Sequence, residues 1–192
     1  MRAAPLIGSS LSLLAGYLAF KWSLGGSVNA ERLVALGGMY HWSALTALTA
    51  GWSIWMVRNQ ASTRSFWGDF QLLSRPVFLY ALLAAGSVYA WNHGIAREAT
   101  ELRKALRLAQ IEEHAATDAS YAEFVAQQSP DQQAAFPEKE EYRKQATEQV
   151  EWMLSGGVTF VLSLLMYLFA ALVLSLCATV LLHQIWGVST LG

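Results

Sequence analysis

Apolar residues in this chain are gathered into four long segments with polar stretches between them. The segments are residues 5–20, 33–57, 77–96 and 157–186. A helix crosses the hydrocarbon core of a bilayer with roughly 20 mostly apolar residues, and none of these segments contains an Asp, Glu, Lys or Arg. The pattern therefore predicts an all-α integral membrane protein with four transmembrane helices, divided into spans 1 and 2 (1–57), span 3 (76–96) and span 4 (157–192).

Residues 58–75, between spans 2 and 3, show helical spacing of their own. Their large apolar side chains recur along one side of a helix, at Phe66, Trp67, Phe70 and Leu73. Ser65 is placed to cap such a helix and Pro76 to end it. We expect a short helix here that lies in the headgroup region of the membrane.

A polar insertion, residues 97–156, joins spans 3 and 4 and predicts an extramembrane helical hairpin. Its first arm has two apolar faces, one with Ala99, Leu102, Leu106 and Ala109 and the other with Leu108, Ile111 and Ala115. The second arm begins at Pro137, and Ser129 with Gln132 forms a capping-box pattern for a further short helix at the tip. Because no proline lies within 77–116, we expect span 3 to continue into the first arm as one helix.

The charged residues support this division because they are few and segregated. They make up 14% of the chain, against about 25% in a typical soluble domain. Nineteen of the twenty-seven lie in residues 94–151, where twelve acidic and seven basic side chains give a net charge of −5, and none follows Glu151. The net charge of the whole chain is −1, which gives no basic surface for nucleic acid.

The arginines of the 58–75 connection indicate the orientation. Arg58, Arg64 and Arg75 stand against a single acidic residue, Asp69, and short loops rich in Lys and Arg remain in the cytoplasm. Both termini are then cytoplasmic, and the hairpin lies on the outer side of the bilayer.

Two groups of small or apolar residues are candidates for contact with a partner. Those in span 1 recur every four residues, a spacing that lets membrane helices approach closely: Gly8, Ser12 and Gly16. Those in the hairpin are Leu108, Ile111, Tyr121 and Phe124. The spans also lack the buried charges that ion-coupled transporters use. These features favour a non-enzymatic protein that acts through protein–protein interaction, as an accessory or assembly subunit or as a homo-oligomer.

No nucleotide-binding, hydrolase or zinc-protease motif occurs, so we expect no catalytic residue, metal site or resident cofactor. Two alternatives remain. One is a passive channel or uncoupled carrier, lined by Ser43, Thr46, Thr49, Ser53, Ser87 and Asn92. The other is a b-type haem anchor with His41 and His93 as axial ligands, although ordinary hydrogen bonding also explains each histidine.

The order of these features resembles an uncharacterised family of small four-span bacterial membrane proteins, best known from Bacteroidota. The resemblance rests on two spans followed by Arg58, the Ser65-Phe66 segment, a proline before span 3, a polar helical insertion and an apolar last span. It implies the fold and a location in the inner membrane, and it implies no activity. The Ala- and Trp-rich composition departs from the Lys- and Ile-rich sequences of that family.

Overall fold

The computed structural model describes residues 4–24, 30–61, 63, 65–133 and 135–185, and every regular element within these ranges is helical. The all-α prediction is therefore confirmed for the described residues. The chain forms two compact units. Unit 1 comprises Met1–Val88 and Phe160–Gly192, and unit 2 comprises Tyr89–Thr159.

Unit 1 is built from long helices. They are α1 (Ala4–Leu24), α2 (Ala30–Arg58), and most of α3 (Phe66–Ala90) and of α8 (Gly156–Ile185). Its core is densest around α3, where alanines alternate with larger side chains: Leu73, Val77, Tyr80, Ala81, Ala84 and Ala85 are fully buried. Small side chains let neighbouring helices approach α3 closely, and this is how membrane helices commonly pack.

The prediction that a separate short helix ends at Pro76 is wrong. Helix α3 runs without a break from Phe66 to Ala90 with Pro76 inside it. An internal proline costs about 3 kcal/mol, because it removes one backbone hydrogen bond and crowds the preceding turn. Leu73 and Val77 on either side of it are fully buried, and burying each such side chain returns about 1.5–3 kcal/mol. Packing therefore outweighs the proline. Ser65 acts at the helix start as predicted, since its Oγ accepts from the Gly68 N–H at 3.4 Å.

Two helices in the described part of the chain are long and apolar enough to cross a membrane: Phe66–Ile95 and Gly156–Gln184. They differ in their surroundings. Within the most apolar stretch of each helix, 56% of the residues are buried in the first and only 22% in the second. These two helices partly support the prediction of a membrane protein. The prediction of four spans stays a prediction.

Unit 2 contains the predicted arms, as α4 (Arg97–His114) and α7 (Lys139–Met153), which pack against each other. Between them lie α5 (Asp118–Ala126) and α6 (Pro130–Gln133). The capping pattern correctly predicted α6, because the Ser129 N–H donates to Gln132 Oε1 at 3.3 Å.

The expected single helix through residues 77–116 is wrong. The hydrogen-bond pattern changes to a π-helical segment at Trp91–Ile95, and Ala96 leaves the helical region with φ −109° and ψ 37°. A π segment shifts carbonyls out of their usual pairing. Side chains of α4 compensate here, because Thr100 Oγ1 donates to the Asn92 carbonyl at 2.7 Å. Arg103 reaches the Asn92 side chain at 3.5 Å.

Candidate functional site

The interior of unit 1 contains a group of aromatic and polar side chains that we call the His41 cluster. It consists of Tyr17, Tyr40, His41, Tyr80 and Tyr167. The His41 ring lies 4.1 Å from the Tyr17 ring and 5.2 Å from the Tyr167 ring, measured between centroids. All members except the half-buried Tyr40 are buried. Side chains of α1, α2, α3 and α8 thus surround the His41 imidazole.

The hydrogen bonds among His41, Tyr80 and Ser87 fit one neutral tautomer of the imidazole. Ser87 Oγ donates to the Ala84 carbonyl at 2.7 Å, so its oxygen accepts from His41 Nε2 at 3.4 Å. The other ring nitrogen, Nδ1, then accepts from the Tyr80 hydroxyl at 2.9 Å. A neutral imidazole satisfies this chain of bonds. Since iron ligation requires an unshared ring nitrogen, the arrangement gives no support to His41 as a haem ligand.

His93, the second proposed haem ligand, belongs to unit 2. Its ring lies 5.4 Å from the Tyr89 ring, and its Nε2 is buried without a hydrogen-bond partner. Gly156 lies close to this pair, because a Cβ at that position would be 3.0 Å from Tyr89. The two histidines therefore belong to different units.

Lys21 is a buried cation that the sequence interpretation missed. It directly follows the apolar segment 5–20, yet it is only 2% exposed. Its Nζ donates to the Leu33 carbonyl at 2.9 Å and lies 5.8 Å from the centre of the Tyr17 ring. Gly37 leaves space for it, since a Cβ there would be 2.6 Å from Lys21 Cε. The pair Gly37-Gly38 was the sequence signal for this close approach.

The predicted small-residue stripe of α1 serves helix packing at one position. A Cβ on Gly16 would lie 2.5 Å from the Tyr40 hydroxyl, which donates to the Leu13 carbonyl at 2.9 Å. Gly8 and Ser12 are exposed, and a Cβ on Gly8 would meet nothing within 4 Å. The face of α1 that packs on α2 is therefore centred on Leu13 and Tyr17 rather than on the stripe.

A second buried polar group in unit 1 surrounds Asp69. Its carboxylate is completely buried and accepts three hydrogen bonds: from Thr63 N–H at 2.6 Å, from Thr63 Oγ1 at 3.0 Å and from His183 Nε2 at 3.0 Å. The sequence analysis treated Asp69 only as the single acidic residue of the 58–75 connection and did not relate it to His183, so this bond was missed. The group joins the start of α3 to the last turn of α8.

Three of the hydroxyls suggested as a channel lining bond to the backbone of their own helix. Thr46, Thr49 and Ser53 each donate to the carbonyl four residues earlier in α2. Such bonds satisfy a hydroxyl within its own helix. All three line a groove of about 380 Å³ between α2 and α8, whose surface is otherwise apolar. We find no feature that favours the channel.

At the tip of unit 2, five rings form a small core: His114, Tyr121, Phe124, Phe136 and Tyr142. The His114 and Phe124 rings stack at 4.4 Å, and Tyr142 contacts the rings of Tyr121 and Phe124. Nearby, Ile111 is buried and Leu108 is half-buried. The hairpin residues proposed for partner contact therefore pack within the hairpin itself.

The other apolar side of α4 is the exposed one, and we call it the outer face. It consists of Leu102, Ala105, Leu106 and Ala109, all exposed. Leu102 and Leu106 are 59% and 57% exposed. Leu102 precedes Ile111 by two and a half helical turns, so the two side chains point to opposite sides of α4. Because ion pairs Lys104–Glu151 and Arg143–Glu112 link α4 to α7, the outer face is directed away from α7.

Comparisons of the chain with models of protein families, with curated proteins and with solved structures gave no match. The resemblance to the four-span bacterial family stays a prediction. Among the described residues, no group of three or more His, Cys, Asp or Glu side chains is arranged to hold a metal ion.

Proposed function

We propose that the chain is a four-span protein of the bacterial inner membrane, with spans formed by α1, α2, α3 and α8. The exposure of α8 supports this most strongly. Its large side chains point outward around much of the helix, and Phe169 and Leu165 are among the most exposed. A helix that is apolar all round and not covered by protein is stable in lipid rather than in water.

The remaining long helices fit the same environment. Exposed apolar side chains occur along α1 and α2, among them Leu11, Met39 and Ile54. Most buried polar groups of unit 1 have hydrogen-bond partners, which a bilayer interior requires, and Ser175 Oγ is the exception among the described residues of this unit. With Arg58 and Arg75 in the cytoplasm, the hairpin lies on the outer side and both termini inside.

We further propose that the protein is non-enzymatic and acts by binding another protein through the outer face. The observation that supports this proposal most strongly is the exposure of Leu102 and Leu106 on a helix that is otherwise rich in charged residues. An apolar stripe at i and i+4 on an exposed helix is a common mode of helix recognition. Fully covering two leucines stabilises a complex by about 1.5–3 kcal/mol each. We propose that the protein is an accessory or assembly subunit that binds the rest of a membrane complex through this face.

The test is purification of the full chain in a mild detergent. We expect a complex larger than the monomer, containing either a second protein or further copies. The double variant Leu102→Lys with Leu106→Lys should weaken the association on the order of 100-fold. The matched control is Gln145→Lys with Gln149→Lys, which adds the same two positive charges at exposed positions of α7 and should leave the complex intact.

A monomer with no associated protein, found for the unaltered chain in several mild detergents, contradicts the interaction proposal. Extraction of the protein from membranes by alkaline carbonate would contradict the four-span arrangement separately. The two parts of the proposal can thus fail independently.

A further inference from the structure

We propose that the partner of the outer face is a helix of a different protein, whose own apolar stripe has a Lys or Arg at each end. The inference rests on the proposed function, because it names the kind of partner that makes that contact. The observation that supports it is the position of two acidic residues, Glu98 and Glu113, at the two ends of the outer face.

Glu98 and Glu113 continue the line of the outer face along α4. With 100° between successive residues, both fall within the arc of about 100° that the outer face itself spans. Glu98 lies four residues before Leu102, and Glu113 lies four residues after Ala109. Both acidic side chains are exposed. The apolar stripe therefore has a carboxylate at each end, and the two are separated along the helix by about 22 Å, or four turns.

The basic residues of α4 do not neutralise these two ends. They lie at least about 60° outside the arc: Arg97, Arg103, Lys104 and Arg107. Arg103, the closest of them, is half-buried and donates to the Ala99 carbonyl at 3.3 Å. No ion pair among the described residues includes Glu98 or Glu113. Both carboxylates are therefore available to basic groups of a partner.

A second copy of this chain is a poor partner for the outer face. If two α4 helices pack in the same direction and in register, Glu98 meets Glu98 and Glu113 meets Glu113. If they pack in opposite directions, each Glu98 meets the Glu113 of the other copy. Like charges across an interface are unfavourable, and they meet in both arrangements. The charge pattern therefore favours a different protein.

An anionic lipid surface is unfavourable for the same reason, because such a surface attracts basic side chains. The surrounding charge also favours a basic partner, since residues 94–151 have twelve acidic and seven basic side chains and a net charge of −5. A field of one sign increases the rate at which a partner of the opposite sign associates.

The apolar part of the outer face fits a helix with large side chains. Leu102 and Leu106 project from α4, whereas Ala105 and Ala109 leave a shallow space beside them. Helices pack with the projecting side chains of one in the spaces of the other, so large apolar side chains of the partner fit over the alanines. A partner helix has the same rise per residue as α4 and can follow the face over all of its roughly 22 Å.

The test uses the full chain in phosphatidylcholine nanodiscs, which have no net charge, with two designed helical peptides as probes. Both peptides have the same leucine stripe; one has a Lys at each end of it, four turns apart, and the other has a Glu at both positions. We expect the full chain to bind the Lys peptide about tenfold more tightly than the Glu peptide, because two ion pairs replace two repulsions. Fluorescence anisotropy, with binding to empty nanodiscs subtracted, measures both affinities.

Charge reversal locates the effect. In the variant Glu98→Lys with Glu113→Lys, the preference should change to the Glu peptide. The matched control is Glu140→Lys with Glu148→Lys, which makes the same change in charge at exposed positions of α7 and should keep the preference for Lys. A carbodiimide that joins amines to carboxylates should couple the Lys peptide to Glu98 and Glu113 of the unaltered chain and not to Glu140 or Glu148, as identified by mass spectrometry.

Three results would overturn the basic-ended helix as partner: no binding of the Lys peptide, equal binding of the two peptides, or a preference that charge reversal at Glu98 and Glu113 leaves unchanged. If the full chain instead forms oligomers that Leu102→Lys with Leu106→Lys separates, the proposed function stands and the partner is a second copy. If no protein or peptide associates through the outer face, both proposals fail.

Discussion

The His41 cluster and the outer face of α4 are opposite exceptions to the usual distribution of residues. In the cluster, polar side chains are buried, and the bonds of His41, Tyr80 and Ser87 account for each of their protons. On the outer face, leucines are exposed on a charged helix. A buried polar group with complete partners stabilises one packing arrangement. An exposed apolar stripe lowers the free energy only when another surface covers it. We therefore propose that the first is structural and the second is a contact surface.

The largest effect is expected at Asp69, which resembles the His41 cluster in its complete bonding. Asp69→Ala leaves the two Thr63 donors and His183 without their acceptor, and we expect unfolding in detergent to become easier by about 3–5 kcal/mol. Asp69→Asn retains one acceptor oxygen and should lose clearly less. An alanine variant within about 1 kcal/mol of the parent would show that the carboxylate has no structural role.

His41→Phe tests whether the cluster is structural or functional. The ring shape remains, but the Tyr80 hydroxyl loses its acceptor, which costs about 1–3 kcal/mol. We expect lower thermal stability in detergent together with unchanged association in membranes. Unchanged stability with lost association would reverse the assignment of roles to the two regions.

Adjacent glycines in α2 provide a matched pair for the buried Lys21. Gly37→Ala places a Cβ against Lys21 Cε, and such overpacking costs about 1–3 kcal/mol. Gly38→Ala meets nothing within 4 Å and should be neutral or stabilising by up to about 1 kcal/mol. Thermal unfolding of both variants checks this, and equal effects would contradict the close packing of Lys21 on Gly37.

Substitutions in the outer face should affect association and leave the stability of the fold nearly unchanged. Leu102→Lys with Leu106→Lys alters only exposed side chains, so the free energy of unfolding should change by no more than about 0.5 kcal/mol per site, while association is lost. Circular dichroism of the monomeric variant measures the first and sedimentation in detergent the second. A strongly destabilised variant would indicate that another part of the same chain covers these leucines.

The smallest effect concerns the ion pair at the hairpin tip. The Lys139 ammonium bonds to Asp118 and lowers the pKa of that carboxyl below its ordinary value of 3.8. A lowered folded-state pKa stabilises the hairpin above the unfolded value, and this contribution is lost as the pH falls through the lowered pKa. Lys139→Met should return Asp118 to its ordinary titration, observed by NMR of the carboxyl carbon. An ordinary pKa in the unaltered protein would show that the pair does not form.

Periodicity was sufficient to predict the helices and the two arms of the hairpin, because local spacing determines helix amphipathicity. It failed at Pro76, where local rules predict a helix end and distant packing on Leu73 and Val77 overrides them. It failed again at Trp91–Ile95, where side chains of α4 support a π segment. In both cases the contacts that decide the structure are made with residues of other helices.

The polar groups were harder to predict for the same reason. Asp69 and His183 are 114 residues apart, and no local pattern relates them. Lys21 directly follows an apolar run, where a charge usually lies at the interface, and only its position beside Gly37 shows that it is buried. The two apolar faces of α4 were recognised, but which of them packs on α7 depends on the second arm.

The bond between Asp69 and His183 can form only late in the synthesis of the chain. A chain is synthesised from its amino terminus, so α3 is complete well before the last turn of α8 has been translated. Until then the Asp69 carboxylate lacks one of its donors, and the loop at Thr63 is held by α3 alone. A chain that is truncated before residue 183 keeps this defect permanently.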